Sequence, residues 1–279
     1  MIVLNIVTVV KDDFYSLELT IKSTLNLALS IPQIYFIHHV QDGSSYDKTY
    51  FPKLRKVNKR NYKLIHLRAK DSGIFDAMNK ASNQFKSGDL VIYMNAGDTF
   101  FEGINRNRFL CAIQNFRKRS ETISFFRAKN HYKNIEYFMP PKYIRSTKKF
   151  ISWAKYHTPV HQAVIFKCAN LYKLSYPSSY KIQADSYLIY NILANFSKPI
   201  FYDIQISNFS LGGYSGNYKN FKKVSLQIYD QLRIMKLREQ SLLFIFLTIL
   251  LLIVKYIFHT LFGDSFIELH ARVNKALKN

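Results

Sequence analysis

The first ten residues constrain the fold class more than any other feature. Ile2–Val10 reads IVLNIVTVV, rich in β-branched residues and without apolar/polar alternation, so it suits a strand covered on both faces. Sheets of that kind carry helices on each side, and a helix should follow. Phe14, Leu17, Ile21 and Leu25 recur at helical spacing, with Asp13 placed to cap the start and Glu18 and Lys22 forming an i,i+4 pair. Further strands are predicted at residues 33–40, 63–69 and 90–94. A second helix is predicted with Ile74, Ala77, Met78, Ala81 and Phe85 on one stripe. The alternation predicts βαβ units in a doubly wound sheet, whose ligands sit outside the carboxyl ends of the strands. The clusters KDD, QDGSS, AKDSG and NAGD follow the four strands in turn. They should therefore meet at one edge, although they are distant in sequence.

The second half is less regular. Strands are expected at residues 122–128, 135–141, 159–167 and 199–209, and a helix at 184–196. The stretch SLGGYSGNYKNFKK then reads as a loop. Residues 241–254, SLLFIFLTILLLIV, hold twelve apolar residues in fourteen, and Ser241, Thr248, Lys255 and His259 would form one thin polar stripe on a helix. Fourteen residues span about 21 Å, short of the ~30 Å hydrocarbon core, whereas the 22 residues through Phe262 cross it only with Lys255 and His259 accommodated. Three readings stay open: an in-plane membrane helix, a true span, and a helix buried in the protein or an oligomer interface. Basic residues on both sides favour an anionic lipid surface and make the positive-inside rule uninformative.

Composition narrows the partners. Forty Lys and Arg against 18 Asp and Glu leave a formal +22 over 279 residues, pointing to an anionic partner: a nucleotide, nucleic acid or an acidic membrane. Cys111 and Cys168 are far apart without metal-type spacing, so a reducing compartment is expected and no zinc site. The N-terminus lacks the basic leader and cleavage site of a signal peptide. No reading helix or base-stacking motif is visible, and nucleic acid is not expected as a partner.

Asp98 closes NAGD. Alone, such an Asp reads as a turn former or as a ligand to a hard cation, which needs only one or two protein carboxylates when phosphates supply the rest. Asp42 reads alone as an Asx-turn, and Asp185 alone as a helix cap. His157 and His161 have a four-residue spacing, but Pro159 between them prevents the helical face of a zinc pair.

The segments IVTVVKDD, VQDGSSYDKT, AKDSGIFDAMNKA, GDLVIYMNAGD, HQAVIFK, ADSYL and FSLGGYS stand in the order seen in family 2 glycosyltransferases. Over about residues 1–215 the chain resembles the branch that builds bacterial exopolysaccharides, colanic acid and O-antigens. The most specific element, DSGIFDAMNKA, is similar to that branch's Asp-x-Gly-Ile-Tyr-Asp-Ala-Met-Asn-Lys-Gly signature.

The resemblance implies a GT-A fold, an α/β Rossmann-like mixed sheet flanked by helices. It also implies a nucleotide-sugar donor, Mn²⁺ or Mg²⁺, and hexosyl transfer with inversion. Asp98 matches the metal-holding end of the Asp-x-Asp-type motif, with Asn95 and Gly97 in place of its earlier acids. Asp42 and Ser45 match the donor-pocket turn Asp-Asp-Gly-Ser-Thr-Asp-Gly-Thr, in which Gly43 replaces the second acid and Lys48 a glycine. Thr8 and Val9 resemble the ledge under the base. Asp71 matches the acid beside the nucleotide, Gly73 the point where the chain passes the ligand, and Asn79 a residue reaching the pocket. Asp185 matches the general base, and His161 a His-Gln pair that touches diphosphate or acceptor. Gly212, Gly213 and Ser215 resemble a loop that closes over the donor.

The expected organisation is a GT-A domain over residues 1–215, with a nucleotide-binding half at 1–98 and an acceptor half at 99–215. A basic helical tail would follow at 216–279, with its apolar segment at 241–262. The expected acceptor is a lipid-linked saccharide, and the expected place is the cytoplasmic face of an anionic membrane. Two rivals are a non-catalytic sugar-nucleotide-binding relative and a nucleic-acid-binding protein.

Overall fold

The computed structural model describes residues 1–44, 57–168, 174–195, 198–210 and 220–279. Its elements in order are β1 (Ile2–Val10), α1 (Phe14–Ser30), β2 (Ile34–Asp42), β3 (Tyr62–Arg68), α2 (Ile74–Ser82), β4 (Leu90–Tyr93) and β5 (Thr99–Phe100). The second half adds α3 (Arg106–Lys118), β6 (Ile123–Tyr132), β7 (Ile135–Met139), α4 (Thr147–Ala154), β8 (Val164–Lys167), α5 (Ala184–Asn195) and β9 (Ile200–Ser210). Three helices close the chain: α6 (Phe221–Leu237), α7 (Leu242–Phe262) and α8 (Asp264–Lys278).

One mixed sheet runs β3-β2-β1-β4-β8-β6-β9-β5, with β7 paired to β6. The β3-β2-β1-β4 half is parallel, as the alternation predicts, whereas β8 runs antiparallel to β4. The apolar run of β1 resolves into two faces of period two. Leu4 and Ile6 pack with α1 and α3 residues such as Leu27, Phe109 and Phe116, while Val7 and Val9 join Met78 of α2, Phe150 of α4 and Ile189 of α5 on the other side. Asp13 caps α1 by accepting from the Ser16 N–H at 3.1 Å, and the Glu18–Lys22 pair forms at 2.7 Å.

Some boundaries differ from the sequence reading. The strand expected at 159–167 begins only at Val164, because Pro159 has no N–H for a ladder and His161–Ala163 forms a 3₁₀ turn instead. β5, α3 and α4 were not expected. Helix α3 hides a Phe109, Ala112, Ile113, Phe116 stripe among arginines and asparagines. The boundary between domain and tail at 215/216 falls outside the described residues. Past it, α6 packs on α5 and α8 packs on β7.

Candidate active site

The strand order reverses between β1 and β4, where an open α/β sheet leaves a crevice. β1 pairs with β4 only through Leu4–Val7 but with β2 through to Val10, so Thr8, Val9 and Val10 extend past the β4 ladder. The loops after β1, β2, β3 and β4 all leave from this edge. The lead-in to β8 arrives there too, because β8 is antiparallel to β4.

Asp42 and Asp71 meet on one side. Asp42 is fully buried; its Oδ1 accepts from the Ser44 N–H at 2.8 Å, an Asx-turn, and its Oδ2 lies 3.2 Å from His66 Nε2. Asp71 Oδ1 accepts from the Gly73 N–H at 3.0 Å. Its Oδ2 lies where a side chain on Gly43 would begin: a Cβ there would stand 2.1 Å from it. The site thus has one carboxylate where the resemblance implies two on the turn, and Asp71 of the neighbouring loop fills the space. Gly73 has φ +139 and open space where a Cβ would be, so α2 starts there because only glycine adopts that conformation readily. Thr8 donates to or accepts from His38 Nε2 at 2.8 Å inside the sheet, so its part at the edge is backbone alone.

Asp98 and Asp185 meet on the other side, through the adjacent pair His161 and Gln162. Asp98 Oδ2 accepts from Gln162 Nε2 at 2.8 Å and from the Asn95 N–H at 3.1 Å. Burial pushes its carboxyl up to about 6, an effect that the Gln162 bond, the nearby His161 and the Asn95 N–H partly offset. His161 Nδ1 lies 3.0 Å from Asp185 Oδ2, and Asn95 Nδ2 lies 3.3 Å from His161 Nε2. The Asn95 amide donates to Nε2, which leaves Nδ1 as the protonated nitrogen that donates to Asp185. Asp185 stands in the first turn of α5, its Oδ1 accepting from the Ser186 N–H at 2.8 Å.

Two expected roles change. The Asn79 amide donates to the Tyr176 carbonyl at 2.8 Å and accepts from the Tyr176 N–H at 2.7 Å, so it clamps that backbone instead of reaching the donor. Gly97 has φ +95 and turns towards α1, where its N–H meets Ser16 O and Thr20 Oγ1; its missing side chain admits α1, not a ligand. Ser45, Lys48, Gly212, Gly213 and Ser215 lie outside the described residues.

Three further residues complete the site. Gln162 follows His161 in HQAVIFK, where nothing in the sequence marks its amide as a partner of Asp98. The Thr20 hydroxyl of α1 holds the Asp98 carbonyl at 2.8 Å. Asp230 of α6, fully buried, accepts from the N–H groups of Lys181, Ile182 and Gln183 and so fixes the start of α5, which carries Asp185. A lone acid in a basic helix was its one visible signal. A separate cavity of about 510 Å³, lined by Ser23, Leu27, Phe100 and Arg106, opens between α1 and β5 and includes none of these carboxylates.

Among the described residues no three His, Cys, Asp or Glu side chains gather as a ready metal site. Asp98 alone still fits a cation completed by phosphate oxygens. It is a buried carboxylate whose charge is met, among the described residues, by an amide, a backbone N–H and a histidine, and a hard cation there would relieve that burial cost.

No protein-family model matches the chain, and no curated protein sequence matches it. Solved structures do. TarS of S. aureus aligns over 84% of this chain at TM-score 0.59 and 13% identity, and the chain spans only 40% of TarS. The 1–349 piece of TarS in complex with UDP-GlcNAc aligns at 0.58 and 15% identity, covering 84% of this chain and 67% of that one. The mannosyltransferase PcManGT of Pyrobaculum calidifontis, in complex with GDP-Man and Mn²⁺, aligns at 0.55 and 9% identity over 84% of this chain and 64% of its own. GalNAc-T7 with UDP, GalNAc and Mn²⁺ aligns at 0.54 and 11% identity over 85% and 48%. These neighbours are GT-A glycosyltransferases, and the chain has their fold.

Proposed function

We propose that this chain is an inverting GT-A glycosyltransferase. It would move a sugar from a nucleotide-sugar donor to a lipid-linked saccharide at the cytoplasmic face of a bacterial cell membrane, in the assembly of a surface polysaccharide. The observation that carries this reading is the joining of Asp98 and Asp185 through His161 and Gln162 at the crevice between β1 and β4. Four of its solved neighbours in that fold hold nucleotides or nucleotide sugars, two of them with Mn²⁺.

In this mechanism the donor's base lies over the end of β1, with Asp71 beside the nucleotide and Asp42 holding the turn that Asp71 leans on. Asp185 takes the proton of the acceptor hydroxyl as that oxygen attacks the anomeric carbon from the face opposite the leaving diphosphate. His161 steadies Asp185 from Nδ1 and is itself steadied by Asn95 at Nε2. Asp98 would hold Mn²⁺ or Mg²⁺, which when bound supplies positive charge to the leaving diphosphate.

The test is a panel of nucleotide sugars with Mn²⁺ or Mg²⁺ and lipid extract, scored by nucleoside diphosphate release. Release with at least one donor that vanishes on chelation is the expected result. Donor binding without any release would favour a non-catalytic relative, and salt-sensitive nucleic-acid binding without donor binding would favour the other rival.

A further inference from the structure

Helix α7 is built inside out. Twelve of its seventeen large apolar residues are exposed, Leu242 by 84% and Leu261 by 69%, while Leu252 and His259 are buried against the protein. Of the rest of its polar stripe, Thr248 and Lys255 are half-buried, while Ser241 caps the helix in the open; burial lowers the Lys255 ammonium from its ordinary value. A soluble helix shows the opposite arrangement. Neighbouring α8 adds Leu269, Val273 and Leu277 at i, i+4 and i+8, all exposed, while Ala271 and Asn274 face the domain. An exposed apolar surface of this extent marks an interaction site.

Packing fixes how that surface is presented. At its start α7 meets the domain through Phe244 on Tyr156, ring centroids 5.2 Å apart, and near its end Tyr256 meets Phe221 at 5.8 Å. Phe221 opens α6, so α7 runs back along α6, which Asp230 ties to the start of α5. Beyond Gly263 the chain returns: Phe266 packs against Phe258 with the rings tilted, Glu268 pairs with Lys133 at 3.0 Å, the Lys278 carbonyl accepts from the Lys142 N–H at 3.1 Å, and Asn279 Nδ2 donates to Glu136 O at 3.1 Å. Both ends of α7 and its inward face are therefore held by one domain. At ~1.5 Å per residue its 21 residues are about 31 Å long, enough to cross a hydrocarbon core, but a crossing would carry α8 to the far side and break every contact with β7.

We propose that the outer faces of α7 and α8 form one monotopic seat that lies in the plane of a single anionic lipid leaflet, with neither helix crossing it. Charge selects the lipid over a second copy of this chain. Residues 221–279 carry nine Lys and Arg against four Asp and Glu, within a chain of formal +22, and α7 has no acid. Two such surfaces repel, whereas an anionic headgroup layer attracts exposed Lys222, Lys236, Arg272 and Lys275 around an apolar centre. This deepens the membrane-associated part of the proposed function and rests on it, but it does not need the transferase chemistry.

The test is flotation of the full chain with vesicles of phosphatidylcholine alone and of phosphatidylcholine with phosphatidylglycerol. About tenfold more protein should float with the anionic mixture, and Leu243→Glu/Leu250→Glu should lower that by about tenfold or more with the fold retained by circular dichroism. Topology is read in inverted cell-membrane vesicles with a membrane-impermeant maleimide. Exposed Cys111 reports the domain's side in a Cys168→Ser chain, and Lys275→Cys in a chain without native cysteines reports that of α8. Both should label together. Labelling from opposite sides would overturn the proposal, as would flotation indifferent to the two glutamates, or a lipid-free dimer that these glutamates dissociate. Nucleoside diphosphate release measured on the same preparations separates the outcomes: release without flotation sinks only this seat, and flotation without release sinks only the transferase reading.

Discussion

The two carboxylate pairs at the sheet edge are built by different means. Asp42 and Asp71 are placed by their own loops: an Asx-turn, a glycine with positive φ, and one missing side chain at Gly43. Asp98 and Asp185 are placed by side chains from distant segments, with His161 and Gln162 joining them and Asp230 bracing α5 from the tail. A pair set by local backbone tolerates change elsewhere in the molecule. A pair set by long-range side-chain bonds fails when any one of its supports is removed, because each leaves a buried polar group unpaired.

Substitutions should separate the two pairs. The largest effect is expected from Asp185→Asn, which should lower kcat by roughly 10²–10⁴-fold, the usual worth of a general base, with donor affinity preserved. A comparable fall in donor affinity would move Asp185 to the donor side and erase the contrast. Asp230→Ala should cost about 2–3 kcal/mol in urea unfolding, since three N–H groups lose a charged acceptor, and kcat should fall while the donor KM holds. Gly43→Ala should displace Asp71 and raise the donor KM about tenfold at nearly constant kcat. In an Asp71→Ala background the same change should add almost nothing, a non-additivity expected of groups in contact.

The smallest effect is a slope with pH. Burial holds His38 down to about 3 and His39 to about 4, from an ordinary 6.5, so below pH 6.5 the unfolded chain binds protons that the folded one refuses, and stability falls. Asp98, raised to about 6 from 3.8, acts oppositely, gaining stability as pH falls from 6 to 4. Among these three groups two histidines against one carboxyl leave a loss on the order of 1.4 kcal/mol per pH unit between about pH 6 and 4, and His270, which burial also lowers to about 4, adds to it. Urea unfolding across this range checks it, and His38→Gln/His39→Gln should remove most of the slope, because His270 and Asp98 then nearly cancel.

Much of this was legible because it is local. The βαβ series, the caps and pairs of α1, and the convergence of four acidic turns follow from period and punctuation within short windows. The antiparallel return of β8 was not legible, because nothing in VIFK states which neighbour it pairs with. The roles of Asn79 and Gly97 are not legible in the sequence for a similar reason. An amide and a glycine look alike whether they face a ligand or a neighbouring backbone, and only the positions of Tyr176 and α1 distinguish them.

The sequence by itself determined the strand and helix series, the edge on which its acidic turns gather, and an apolar tail segment with one polar stripe. Those are statements of periodicity, which the backbone's repeat translates directly into faces. Only the tertiary structure decided that Thr248, Lys255 and His259 of α7 turn inward and all its leucines but Leu252 outward, that Asp71 occupies the space beside Gly43, and that a tail aspartate holds the helix of Asp185. Each of these is a contact between segments far apart in the chain. Such contacts are chosen by which faces pack best once all elements are present, and no window of sequence contains that choice.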